Sequence, residues 1–248
     1  MKEFYIEDDG IQLHAKLDMP DNDTDSLVIL VHGFTGHMEE EHIIGVQKAI
    51  NKAGMAVLRT EMYGHGQSGG EFKNHTLFKW ISNIMTVTDY AKELPFVKNL
   101  YLCGHSQGGL LTMLAAGMRP DDYKAIIPMS PALVIPEGAR QGIMLGVPFD
   151  PIHIPDYIGT KDLQLGANYL RVAQMIYVEP AIERYTKPVL IVHGDKDEAV
   201  PISYSMKASK QYANCQFEII PQDDHCYNSH LDIVCNTIYD FLKKQSID

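Results

Sequence analysis

A layered α/β fold with a mostly parallel sheet is predicted by three features of this 248-residue sequence. Short apolar runs alternate with longer amphipathic segments along most of the chain. The runs are apolar at consecutive positions, which suits strands covered on both faces. One of them, LYLCG, passes through a tight turn of small residues directly into the apolar segment GLLTMLAAGM.

The elements follow in order. Residues 1–20 carry two alternating stretches around Asp9-Gly10, the signal of an antiparallel hairpin at a sheet edge. Strands are expected at 27–33, 55–59, 99–104, 124–130, 188–194 and 215–220, each short and rich in β-branched or aliphatic residues. Helices are expected at 39–53, 77–93, 107–118, 203–212 and 229–244. Strand–helix alternation implies right-handed crossovers. Residues 131–185 break the rhythm, with six prolines and four tyrosines and no repeated strand–helix unit. A segment this long is expected to carry small elements of its own and to serve function. It is read as a cap inserted into a core of residues 1–130 and 186–248.

Composition bounds the function. Hydrophobic residues make up 45% of the chain, enough for a substantial core, and the formal net charge of -11 argues against a phosphate-seeking nucleic-acid binder. The N-terminus is charged where a signal peptide needs an apolar run, and no segment approaches the roughly 20 apolar residues of a membrane span. A cytoplasmic protein is therefore expected. The four cysteines, Cys103, Cys215, Cys226 and Cys235, match no zinc spacing and are read as free thiols. No dinucleotide fingerprint is present, and GHGQSGG lacks its spacing. Neither metal nor cofactor is expected.

The turn GHSQG sets Ser106 between Gly104 and Gly108, where a strand meets a helix. Gly-x-Ser-x-Gly in this context is a nucleophile elbow. The strained turn tolerates no side chain at its flanks, and the helix N-terminus favours a developing negative charge. Serine needs a base, and the base needs an orienting carboxylate. HGDKDEAVP follows one strand and PQDDHCYN follows the next. They offer Asp197 and His225 at strand ends, where α/β sheets place functional groups. Asp195 lies nearer its strand and is expected to make local turn contacts. His32, His105 and His193 are expected to orient loops. Backbone donors for an oxyanion are expected from Gln107, after the nucleophile, and from Phe34 in the loop VHGFTGH.

The motifs HGFTG, RTEMYGHGQSGG, GHSQGG, HGDKDEAVP and DDH, in order along nearly the whole chain, resemble those of α/β-hydrolase serine esterases. The sequence is most similar to bacterial cinnamoyl (feruloyl) esterases, and SPALVIPEGARQG and ANYLRVAQ add to the resemblance. It implies an α/β-hydrolase fold: an eight-stranded, mostly parallel sheet with helices on both faces and a small inserted cap. It maps the triad to Ser106, Asp197 and His225 and the oxyanion donors to Phe34 and Gln107. Tyr169 is similar in placement to a family tyrosine that meets the phenolic acyl group, with Glu137 and Gln141 as candidate polar partners. Some relatives carry a cap tryptophan. The one tryptophan here is Trp80, outside the cap, so residues 156–163 depart from those relatives.

The resemblance implies a serine esterase for feruloyl, p-coumaroyl and caffeoyl esters. A monoacylglycerol lipase or general short-chain carboxylesterase is the main alternative, and a serine peptidase of the same fold is a weaker one. A non-catalytic binding protein would be expected to lack a triad member, and a dehalogenase would carry Asp at position 106. The expected partner is a small-molecule ester, with no nucleic acid and no membrane. A homodimer is left open.

Overall fold

The computed structural model of the chain describes residues 1–160 and 163–245. Strands β1 (Lys2–Asp8) and β2 (Ile11–Asp18) form the expected hairpin. Its two-residue turn puts Asp9 at φ 45° and Gly10 at φ 77°, the left-handed pair that matches strand twist. There follow β3 (Ser26–Val31), α1 (Glu41–Lys52), β4 (Ala56–Thr60), α2 (Leu77–Lys92), β5 (Asn99–His105), α3 (Gln107–Met118) and β6 (Ile126–Met129). Within residues 131–185 lie α4 (Val134–Gln141), the hairpin β7 (Ile143–Met144) and β8 (Val147–Pro148), and the hairpin β9 (Tyr157–Thr160) and β10 (Leu163–Gly166). Helices α5 (Ala167–Met175) and α6 (Glu179–Arg184) complete that stretch. The chain closes with β11 (Val189–Gly194), α7 (Ser203–Gln211), β12 (Cys215–Ile220) and α8 (Leu231–Gln245).

The main sheet has eight strands in the order β1-β2-β4-β3-β5-β6-β11-β12, parallel from β4 to β12, with the hairpin antiparallel at one edge. The fold class expected from the sequence is therefore the one observed. β6 is shorter than the run 124–130 suggests. Pro128 has no N–H to give the ladder, and β6 pairs with β11 through Ile126 and Met129.

Strand β3 is buried throughout, and its side chains alternate between two cores. Leu27, Ile29 and Val31 join one with α2 and α3, whereas Val28 and Leu30 join the other with α1 and α8. Each face of the sheet is thus sealed by helices. α1 and α8 approach closely at Gly45, where an added Cβ would lie 3.0 Å from Leu231. α6 lies against α3, since a Cβ on Gly117 would come within 2.4 Å of Ala181. Residues 131–185 therefore leave the sheet after β6 and return to its helical layer before β11.

Strand order also locates a crevice. From β3 the chain winds outward to β4 on one side and then returns to β5 on the other. The loops after β3 and β5 diverge, which opens the sheet at its C-terminal edge. Phe34 and Ser106 lie in those two loops. The glycines of the elbow fit this junction tightly. A Cβ on Gly104 would sit 2.3 Å from the Gly108 carbonyl oxygen, and one on Gly108 would sit 2.5 Å from that of His32. Backbone cannot yield as a flexible side chain can. Gly108→Ala is expected to destabilise the protein by roughly 1–3 kcal/mol through overpacking. An unchanged urea unfolding midpoint would contradict this packing.

Candidate active site

Ser106 is the N-cap of α3 and holds φ 55°, ψ -117°, a conformation rare for any residue but glycine. Its main chain is bound on both sides. The N–H donates to Met129 O at 2.8 Å, and its carbonyl accepts from Leu110 at 3.0 Å and Ala132 at 2.9 Å. β5, β6 and α3 together fix the turn. The side chain is consequently free to point away from the sheet toward the loop after β12.

His225 lies in that loop with Nε2 2.8 Å from Ser106 Oγ and Nδ1 2.6 Å from Asp197 Oδ2. Residues 119 and 28 positions apart in sequence thus form one hydrogen-bonded line. Asp197 follows β11. Its Oδ1 accepts from the N–H groups of Ala199 at 2.9 Å and Val200 at 2.8 Å, while His193 Nε2 lies 3.1 Å from Oδ2. Burial pushes this carboxyl upward, but hydrogen bonds from His193 and His225 outweigh it and hold it well below the usual carboxylate range. Asp197 is therefore ionised and aimed at His225 Nδ1, which favours the tautomer that leaves Nε2 free to accept a proton from Ser106.

The neighbouring acids have other tasks. Asp195 accepts from the Gln222 N–H at 2.7 Å, a loop contact. Asp223 is fully buried and accepts from Asp224, Ser229 and His230, where it ties the loop to the start of α8. Sequence spacing did not distinguish Asp223 from a solvated loop acid.

Gln107 opens α3, where the first amides have no intrahelical acceptor. Phe34 follows Gly33, and an added Cβ at Gly33 would lie 3.1 Å from Ser106 Cβ. Both expected oxyanion donors thus belong to backbone beside the serine. Their side chains build a wall. The Phe34 ring lies 5.4 Å from Phe72, 5.4 Å from His75 and 5.9 Å from Tyr169 between centroids. The Tyr169 hydroxyl donates to Gln107 Oε1 at 2.6 Å, and both residues are fully buried. The family resemblance implied a ligand contact for Tyr169. In the fold its proton is committed to the side chain beside the nucleophile.

Glu137 and Gln141 pair with each other at 3.0 Å on α4. Glu137 lines a cleft of about 70 Å³ with Arg140, Ile182 and Tyr204, between α4, α6 and α7. Among the described contacts neither residue meets Ser106, His225 or Tyr169. Glu137 is oriented toward α7, which a one-dimensional pattern does not encode, and Gln141 is paired to it. Trp80 is a core residue behind the aromatic wall, where it packs edge-on against His32 and His65. The β9–β10 hairpin occupies much of the stretch 156–163, of which residues 161–162 lie outside the described residues.

Further histidines support this region, His42 and His75 among them, which the sequence reading did not single out. His75 is sandwiched among Phe34, Phe72 and Tyr169, and its Nδ1–H donates to Phe72 O at 2.6 Å. Burial pushes His32 and His75 down to about 3 and His42 down to about 4, and lowers His65 and His105 as well. Among the described residues no cluster of His, Cys, Asp and Glu could hold a metal ion, the four cysteines are free, and no helix is long and apolar enough to cross a membrane.

Known proteins agree with this architecture. The profile of the family described as serine aminopeptidase, S33, matches residues 22–150. The structure of Est1E from Butyrivibrio proteoclasticus with ferulic acid bound is 54% identical, with a TM-score of 0.97 over 99% of this chain and 100% of that one. The monoacylglycerol lipase of Mycolicibacterium smegmatis is 24% identical over 79% of each chain. The mitochondrial palmitoyl-protein thioesterase ABHD10 of Mus musculus is 24% identical over 88% of this chain and 76% of its own.

The buried histidines make stability depend on pH. An unfolded histidine titrates near pH 6.5, whereas His32, His42 and His75 stay neutral in the fold down to about 3 or 4. Below pH 6.5 the unfolded chain therefore takes up protons that the native chain refuses. Stability should fall between pH 6.5 and 4, each such histidine adding up to about 1.4 kcal/mol per pH unit to the slope. Asp197, held low, adds to the loss at still lower pH. Urea unfolding across this range tests it, and a flat profile would contradict neutral burial.

Proposed function

Because this chain belongs to the serine aminopeptidase S33 family of α/β hydrolases, we propose that it is a serine esterase. Its substrates are hydroxycinnamate esters with feruloyl, p-coumaroyl or caffeoyl groups, cleaved through an acyl-enzyme. The observation that carries this reading is the Ser106–His225–Asp197 hydrogen-bonded line in a chain so similar, over its whole length, to a protein that binds ferulic acid.

In the reaction Ser106 Oγ attacks the ester carbonyl while His225 Nε2 removes its proton. Asp197 holds Nδ1–H and stabilises the imidazolium. The carbonyl oxygen becomes an oxyanion that accepts from the N–H groups of Phe34 and Gln107. The alcohol leaves with the proton from His225, and the acyl group remains on Ser106. Water, deprotonated by His225, then attacks the acyl carbonyl and releases the hydroxycinnamate.

Residues 131–185 act as the cap over the acyl group. The Tyr169 hydroxyl gives its proton to Gln107, so toward a substrate phenol it serves as an acceptor. This contact requires the cap to open. Glu137 would have to turn away from the α4–α7 cleft to reach a ligand, and no step is assigned to it or to Gln141. The enzyme is read as cytoplasmic, acting on a small ester as a single chain or a homodimer. One observation favours the lipase-like or general carboxylesterase alternative: the cap exposes Ile143, Leu145, Val147 and Ile152. Turnover of methyl ferulate compared with a monoacylglycerol and a short p-nitrophenyl ester decides between them. Preference for methyl ferulate is expected.

Two substitutions test the chemistry. Asp197→Asn keeps an oxygen for the Ala199 and Val200 amides but presents an NH₂ group to His225, and kcat should fall on the order of 10³–10⁴-fold. Asp195→Asn, which touches only the loop, should cost less than about tenfold, and a reversed order would displace Asp197 from the triad. Tyr169→Phe should lower kcat/KM for a ferulate ester several-fold, in line with one lost hydrogen bond of roughly 0.5–1.5 kcal/mol, and should affect a cinnamate ester less. Equal losses would assign the hydroxyl to Gln107 alone.

A further inference from the structure

The proposed base has a second set of supports, reached through its main chain rather than its ring. The loop from 221 to 228 is tied at its ends by Asp223, which accepts from Ser229 and His230, and by Asp195, which accepts from Gln222. At His225 itself the carbonyl oxygen lies 2.8 Å from His105 Nε2. His105 Nδ1 in turn lies 3.1 Å from His42 Nε2. All three rings stand in series, with centroids 4.3 Å apart for His42 and His105 and 4.8 Å apart for His105 and His225. His42 comes from α1, His105 from the last position of β5, and His225 from the loop before α8.

The proton positions follow from the acceptors. A carbonyl can only accept, so His105 Nε2 carries the hydrogen. Burial, with the nearby His42 and His225, keeps His105 neutral, so its Nδ1 is a bare acceptor. His42 is also neutral, and its Nε2–H donates to that Nδ1. The chain therefore has one direction, from His42 to His105 to the His225 carbonyl. A charged ring beside His225 would oppose the imidazolium that forms when Ser106 loses its proton, and the two neutral rings do not. The site is also crowded: a Cβ on Gly33 would lie 3.2 Å from His105 Nδ1, and the Tyr227 ring stands 6.1 Å away.

We propose that His42 and His105 are positioning residues that hold the backbone of His225, so that Nε2 stays within reach of Ser106. The proposal rests on the triad reading above. Misplacing a reacting group by about 1 Å can cost on the order of 100-fold in rate. Removing the relay should therefore lower kcat more than it raises KM.

The test uses a short p-nitrophenyl ester, so that the identity of the acyl group does not enter. His105→Phe keeps the ring volume and removes both hydrogen bonds, and kcat should fall about 10–100-fold with KM within about twofold. His105→Gln places an amide N–H where Nε2–H stood, and it should recover most of that loss. His42→Leu should lower kcat by several-fold alone and add nothing in the His105→Phe background, because both act through one chain. Should His105→Phe not fold, the pair His42→Leu and His42→Gln decides, with loss expected for Leu and retention for Gln. Wild-type kcat in a folded His105→Phe, a Gln variant as impaired as Phe, multiplicative losses, or equal kcat in the two His42 variants would each overturn the relay. Ser106→Ala in the same assay separates the two readings. If it turns over normally the triad falls and the proposal with it. If it is inactive beside an unimpaired His105→Phe, the relay alone falls.

Discussion

Everything at this site depends on keeping Ser106 at φ 55° and ψ -117°. Such a conformation costs a non-glycine residue of the order of 1–3 kcal/mol and persists only where surrounding structure over-determines it. Here the surroundings are main chain. The Ser106 amide is bound by β6, its carbonyl by α3 and by Ala132, and the flanking glycines leave no space for a side chain. Other left-handed non-glycine residues gather at the same edge of the sheet: Thr35 beside Phe34, Ser130 after β6, and Gln222 and Tyr227 around His225. Ser130 and Tyr227 are joined by a hydrogen bond at 2.8 Å, and the Tyr227 hydroxyl also reaches Val192 O at 3.2 Å. Strain at the loop bases is thus braced by buried polar contacts rather than left to relax.

The electrostatic design follows from the same geometry. The permanent charge lies at the end of the line, on Asp197, saturated by two backbone amides and two imidazoles. The histidines stacked behind Ser106 and behind the aromatic wall are held neutral by burial. In the proposed reaction the transient positive charge on His225 would form next to one carboxylate and among uncharged rings. Tyr169 adds a mechanical link, since it connects α5 to Gln107, whose backbone N–H is the proposed oxyanion donor.

Much of this was legible in the sequence. Period and apolar runs located the main-sheet strands and five long helices because those elements are buried by rule: parallel strands on both faces, helices along a stripe. Asp9-Gly10 identified the edge hairpin because its turn demands two positive φ values. Ser106, Asp197 and His225 could be nominated because each stands at a strand end with the residue type that chemistry requires. What the sequence could not carry was orientation within residues 131–185. Short helices and two-residue strands lack the periodicity that fixes a face, so nothing in the order of residues reveals that Glu137 turns toward Tyr204 or that Tyr169 turns toward Gln107. The relay through His42 was equally hidden. Its partners lie 63 and 120 positions apart, and only the packing of α1 and the loop before α8 on β5 brings them together.

In the proposed mechanism Ser106, activated by His225, carries the acyl group during turnover. Rapid acid quench of the enzyme with excess methyl ferulate, followed by mass spectrometry of its peptides, tests this directly. One feruloyl group is expected on the peptide containing Ser106, formed in a burst before steady state and absent from Ser106→Ala. A feruloyl group on another residue, or turnover by Ser106→Ala at the wild-type rate, would contradict it.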